Sequence, residues 1–157
     1  FTVALLQEAG RRRLHRAMET TALARYSVFE AVVSELDYLL VDIKAWDSSL
    51  HEKWTGMPNG TILANIAQVR DRFPALPIRV RTPVIPGVND SEEEIGAIAR
   101  FVRSLGANTS YELLKYHRLG EPKYQSLHRP YELGDAGLSE ERFRALQAVS
   151  EEISHGA

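Results

Sequence analysis

The sequence predicts an α/β fold built on a parallel sheet, and three observations carry that expectation. Segments with helical periodicity alternate regularly with short strand-like runs, the pattern of repeated βαβ crossovers. The run Tyr38-Leu39-Leu40-Val41-Asp42-Ile43-Lys44 opens as a near-continuous apolar stretch, which reads as a strand buried on both faces of such a sheet. Pro77 to Val84 alternates strictly, with Arg79 and Arg81 on one face.

The elements follow in order. Phe1 to Gly10 carries Val3, Leu5 and Leu6 and ends on a glycine, as the tail of an amphipathic helix does. His15 to Thr20 is a short strand of weak propensity. Tyr26 to Leu36 places Val28, Phe29, Val32, Val33 and Leu36 at helical spacing. The strand Tyr38 to Lys44 comes next. Asp47-Ser48-Ser49 offers N-caps for a helix through Trp54. Asn59 to Phe73 is a further helix, with Ile62, Ile66 and Val69 on one face, closed by Pro74. After the Pro77–Val84 strand, Pro86-Gly87-Val88-Asn89-Asp90 is turn chemistry. Ser91 with Glu94 reads as a capping box opening a helix to Gly106. Ser110 to Tyr116 is the fourth strand, Arg118 to Leu138 an irregular stretch, and Leu138 to about Ile153 the last helix.

Composition is that of an ordinary globular chain: 157 residues, 44% hydrophobic, 25% charged, net charge −2. That length suits a single domain over residues 1–157. No basic bias argues for nucleic acid, and no apolar run approaches the ~18 residues of a membrane span, so a cytoplasmic location is expected. Cysteine is absent, which excludes disulfides, thiolate catalysis and any cysteine-ligated metal site made by this chain.

If the four strands are parallel, their C-terminal ends form one rim. It carries Glu19 with Thr20, Asp42 with Lys44, Arg81 with Thr82, and His117. Asp42 and Lys44 alone are equally well a structural ion pair. Taken singly, Glu19 could be a helix cap, Arg81 a solvated edge residue and His117 a loop histidine. Their convergence on successive strand ends points instead to a ligand site. Carboxylates suit an ammonium or a cation, and Lys44 and Arg81 suit a carboxylate or phosphate, so the set fits a zwitterionic or anionic ligand.

These motifs also resemble a known family. Leu40-Val41-Asp42-Ile43-Lys44, followed by His51-Glu52-Lys53-Trp54-Thr55-Gly56, is similar to the "DIK…H…TG" segment of the glycyl radical enzyme activating enzymes. These belong to the radical S-adenosylmethionine superfamily and include the pyruvate formate-lyase activating enzyme. Arg79 to Asp90 looks like the family's fifth-strand signature. Glu112 to Gly120 is similar to its "ELLPYHxLG", and Ala17 to Thr21 to its third-strand segment.

The resemblance implies a partial TIM-type (β/α) barrel, of which this chain holds about four parallel strands out of six. It implies a 4Fe–4S cluster on a CxxxCxxC motif and reductive cleavage of S-adenosylmethionine to a radical that abstracts hydrogen from a glycine of a formate-lyase-like partner enzyme. A flavodoxin or ferredoxin-type reductant is implied as a second partner. Glu19, Asp42, Lys44 and His117 match positions lining the S-adenosylmethionine site, with Thr20 and Arg81 at the same rim. The two acids would lie near the methionine moiety and a monovalent cation, Lys44 near the carboxylate, and His117 near the nucleoside.

The departures are the missing CxxxCxxC and "GGE" strand, Lys115 where proline is common, and Glu19 for aspartate. With Phe1 in place of a methionine start, the chain reads as the C-terminal part of an activase, inactive by itself. An open sheet edge and an apolar barrel interior exposed to water would then drive association. Two other readings remain: a lyase or aldolase using Lys44 as a Schiff-base nucleophile, and a cluster-free protein-interaction module.

Overall fold

A computed structural model of the chain describes residues 1–155. The elements are α1 (Thr2–Arg11), β1 (Ala17–Thr20), α2 (Tyr26–Val33), β2 (Tyr38–Asp42), α3 (Ser48–Thr55), α4 (Gly60–Arg72), β3 (Ile78–Val84), α5 (Glu92–Ser104), β4 (Thr109–Lys115), α6 (Glu121–Ser126) and α7 (Glu140–His155). The four strands form one sheet in the order β1-β2-β3-β4, every pairing parallel.

Sequential order and a shared hand put all the crossovers on one side, the singly wound arrangement of a barrel rather than an open doubly wound sheet. The core confirms it. Leu39, Val41, Ile78 and Val80 from the strands bury against Phe29 and Val33 of α2, Ile62, Ile66 and Val69 of α4, and Ile98 and Val102 of α5, in one cluster. A second cluster joins Val84, Ile95, Leu138 and Leu146, where α7 packs along α5 and β4.

Two expectations need correction. β2 is covered on one face only: Leu39 and Val41 are buried, but Tyr38, Leu40 and Asp42 are half-buried on the other. The early apolar run misled because Tyr38 and Leu40 sit on the open face, where Tyr38 lies against the Arg79 guanidinium. That open face is also not apolar. Glu19, Asp42, Lys44, Arg79, Arg81 and Glu112 lie along it, in a register that sets Asp42 beside Arg81 and Arg81 beside Glu112. Charge, more than exposed hydrocarbon, faces the solvent there. Among the described residues β1 lies at the sheet edge, as expected.

The stretch from Arg118 to Leu138 is not wholly irregular, since it contains α6. Gly120-Glu121-Pro122 starts it, with Pro in the first turn, where its missing N–H costs nothing, and Glu121 favoured by the helix dipole. Among the described residues no helix is long and apolar enough to cross a membrane.

Candidate functional site

The site is built where the strands end. Arg81 is its hub: Nη2 lies 2.5 Å from Glu19 Oε1 and 3.0 Å from Asp42 Oδ1, with Nε 3.3 Å from the same Asp42 oxygen. Asp42 Oδ2 accepts from Lys44 Nζ at 3.2 Å. Glu19, Arg81, Asp42 and Lys44 therefore form one continuous ladder across β1, β3 and β2. Burial works against the Arg81 charge, but the hydrogen bonds and charges of Glu19 and Asp42 outweigh it and hold its pKa above the ordinary arginine value. Arg81 and Asp42 are mostly enclosed, while Glu19 is 63% exposed and Lys44 38%. The two outer members thus keep unused hydrogen-bonding capacity at the solvent side.

Three buried asparagines hold the loops that carry this ladder. Asn89 Nδ2 donates to the carbonyls of Lys44 at 2.6 Å and Pro83 at 2.8 Å, and its Oδ1 accepts from the Ile85 N–H. It ties the ends of β2 and β3 together at Lys44 itself. Asn59 donates to the carbonyls of Ala45 and Trp46. Asn65 donates to those of Ala22 and Ala24, fixing the loop after β1, in which Ala22 adopts φ 56° although it is not glycine. A buried backbone carbonyl needs a partner, and an amide side chain can serve two at once. Glu94 adds a further clamp. Ser91 caps α5 as expected, accepting from the Glu94 N–H, but the Glu94 carboxylate turns away and accepts from the N–H groups of Trp46 and Asp47.

Of the site residues the sequence singled out, Glu19, Asp42, Lys44 and Arg81 come together. Thr20 lies at the same rim but its side chain takes another role: Oγ1 accepts from the Ala22 N–H and shapes the β1 loop. His117 lies two residues past β4, exposed and without a hydrogen bond among the described residues. The asparagines and Glu94 were missed. Each acts on a backbone group distant in sequence, and only the spacing of Asn89 within the turn after β3 offered any signal.

Alternating carboxylates and cations on one open face can hold a small zwitterion by exchanging internal pairs for external ones. They are not a metal cage: among the described residues no three His, Asp or Glu groups converge to hold a metal ion.

No protein-family model matches the chain. Curated relatives do. The isethionate sulfite-lyase activating enzyme of Nitratidesulfovibrio vulgaris is 48% identical over 149 residues, covering 95% of this chain and 48% of that protein. The (2S)-3-sulfopropanediol sulfolyase activating enzyme of Bilophila wadsworthia is 47% identical over 149 residues, covering 95% of this chain and 49% of that protein. The 4-hydroxyphenylacetate decarboxylase activating enzyme of Clostridium scatologenes is 34% identical over 152 residues, covering 95% of this chain and 48% of that protein. Among solved structures, a domain of the pyruvate formate-lyase-activating enzyme from Bacteroides vulgatus superposes with a TM-score of 0.76 at 29% identity, covering 96% of this chain and 84% of that one. The chain spans about half the length of the curated relatives it matches.

Proposed function

We propose that this chain, homologous over nearly its whole length to glycyl radical enzyme activating enzymes, works as the strand-end portion of such an activase, binding S-adenosylmethionine on its charged ladder. The observation that supports this most is the ladder itself: Glu19, Arg81, Asp42 and Lys44 linked at 2.5, 3.0 and 3.2 Å on the open face of a partial barrel.

When bound at a 4Fe–4S cluster, S-adenosylmethionine supplies the radical chemistry of the family. This chain has no cysteine, so cluster ligands of that type lie outside its 157 residues. Its own residues bind and orient. Lys44 offers free N–H donors to a carboxylate. Glu19 and Asp42 offer oxygens to an ammonium or sulfonium group, and Arg81 holds both acids in place. A monovalent cation beside the two acids would have to share them with the Arg81 guanidinium. Thr20 shapes the adjoining loop, and His117 stands at the same rim for the nucleoside. The Schiff-base reading of Lys44 loses support here. Its Nζ is engaged with the Asp42 carboxylate at 3.2 Å rather than free to attack a carbonyl carbon.

The partner we propose is a glycyl radical enzyme of the formate-lyase superfamily, and within it a sulfite-releasing lyase. Four sulfite-lyase and sulfolyase activating enzymes are 43–48% identical to the chain, against 34–36% for decarboxylase activating enzymes. A flavodoxin or ferredoxin-type reductant is the proposed electron donor. The test is the full gene product, reconstituted anaerobically with S-adenosylmethionine and a reductant, mixed in turn with an isethionate sulfite-lyase, a hydroxyphenylacetate decarboxylase and a pyruvate formate-lyase. A glycyl radical in the electron paramagnetic resonance spectrum, strongest with the sulfite-lyase, is the expected result. Silence with all three ends the activase reading.

A further inference from the structure

A cavity of about 480 Å³ lies at the same rim, between α3 and the segment after α6. Lys44 is part of its wall, so it adjoins the charged ladder. His51 lines it and is only 3% exposed. The His51 Nδ1 sits 2.7 Å from the Met57 carbonyl oxygen. A carbonyl can only accept, so Nδ1 carries a proton, and this tautomer leaves Nε2 as the ring's acceptor position. Nε2 has no hydrogen-bond partner among the described residues.

Charge and shape narrow what that something is. Lys44, Lys53 and Arg129 line the cavity against a single carboxylate, Glu132, in a chain whose net charge is −2. Its apolar wall is preformed: Tyr131 is held by a hydroxyl contact to Tyr116 at 2.5 Å and by the edge of the Tyr124 ring. Burial and the neighbouring Tyr131 hydroxyl push the Tyr116 hydroxyl up to about 12, so that contact stays protonated at neutral pH. Trp54 and Tyr124 line the cavity yet remain 40% and 42% exposed. Leu127 is exposed close by in the chain, just past α6. Large apolar groups left open beside a cavity are a docking signature.

Resting on the activase reading above, we infer that this cavity takes a peptide segment of the glycyl radical enzyme that carries an acidic side chain beside a large apolar one. The acid meets Lys53 and Arg129, the apolar side chain packs on Trp54 and Tyr131, and a backbone N–H of the segment donates to His51 Nε2. A single extended segment supplies all three groups and reaches the exposed apolar surface outside, which a small free acid does not.

The test is fluorescence anisotropy on the 157-residue chain with a short labelled peptide carrying adjacent aspartate and phenylalanine. Two variants report on separate contacts. The double charge reversal Lys53→Glu with Arg129→Glu alters exposed side chains only. His51→Asn keeps an N–H where Nδ1 stood and deletes Nε2. Each is expected to weaken the peptide by about tenfold or more, a loss typical of a desolvated polar contact. Thermal unfolding of the charge-reversal variant should match wild type, which separates lost contact from lost fold. No peptide binding, equal binding by both variants, or equal binding of a lysine-for-aspartate peptide overturns the inference. So does equal binding of free phenylpropionate, which would assign the cavity to small acids. S-adenosylmethionine binding, followed in parallel, reports on the ladder alone: its absence beside specific peptide binding removes the ligand role proposed for the ladder and leaves the docking inference standing.

Discussion

The two ends of the sheet each carry an arginine clasped by two carboxylates, and they differ in what else those groups touch. At the N-terminal end Arg16 meets Asp37 through Nε at 3.1 Å, Nη2 at 2.9 Å and its backbone N–H at 2.9 Å, with Glu35 at 3.3 Å. The Arg16 carbonyl accepts in return from the N–H groups of Asp37 and Tyr38. This cluster welds the starts of β1 and β2 to the backbone. At the C-terminal end Arg81, Glu19, Asp42 and Lys44 bind one another, while asparagines hold the backbone around them. Side chains relieved of structural duty and set beside a cavity are free to bind something else. An ion pair alone therefore says little about function. The division of labour around it says more.

The largest effect that would break this comparison is Asn89→Ala. It leaves the Lys44 and Pro83 carbonyls and the Ile85 N–H without their partner in a residue 1% exposed. We expect a loss of about 3 kcal/mol in urea unfolding, together with loss of ligand binding, because the rim it holds would loosen. Asp42→Ala comes next. It strips Arg81 of one acid and Lys44 of its ion pair, and Glu19 partly compensates. About 2 kcal/mol of stability should go, with S-adenosylmethionine affinity down at least about tenfold by titration calorimetry.

Asp37→Asn sharpens the contrast from the other end: stability should fall while ligand binding stays as in wild type. Its pH signature is distinctive. Arg16 hydrogen bonds hold the Asp37 carboxyl down at about 2, against an ordinary 3.8. The folded chain thus binds fewer protons than the unfolded one in that window. The stabilisation is present above pH 3.8 and is lost as pH falls through about 2. Acid unfolding of Asp37→Asn should show a shallower pH dependence over the same range. Glu19→Gln is the smallest change, under ~0.5 kcal/mol for a side chain 63% exposed, with a measurable effect on ligand binding only.

Much of the strand-end chemistry was legible because a strand alternates faces with period two. Asp42 with Lys44, and Arg79 with Arg81, had to share a face once the strands were recognised. The parallel sheet followed from the alternation of elements. What the chain did not reveal were contacts between distant residues: Asn65 to Ala22 across 43 positions, Asn89 to Lys44 across 45, Glu94 to Trp46 across 48. Local pattern cannot announce which carbonyl an amide will meet. The open face of β2 was misjudged for a related reason, since Tyr38 and Leu40 are apolar whether a helix covers them or not.

The measurement that most directly tests the division between the two ends is a chemical-shift map of the isotopically labelled chain titrated with S-adenosylmethionine. Saturable shifts at Glu19, Asp42, Lys44 and Arg81, with Arg16, Glu35 and Asp37 unmoved, are the result expected. No saturable shift at the C-terminal strand ends, or shifts of equal size at the N-terminal cluster, would contradict the account.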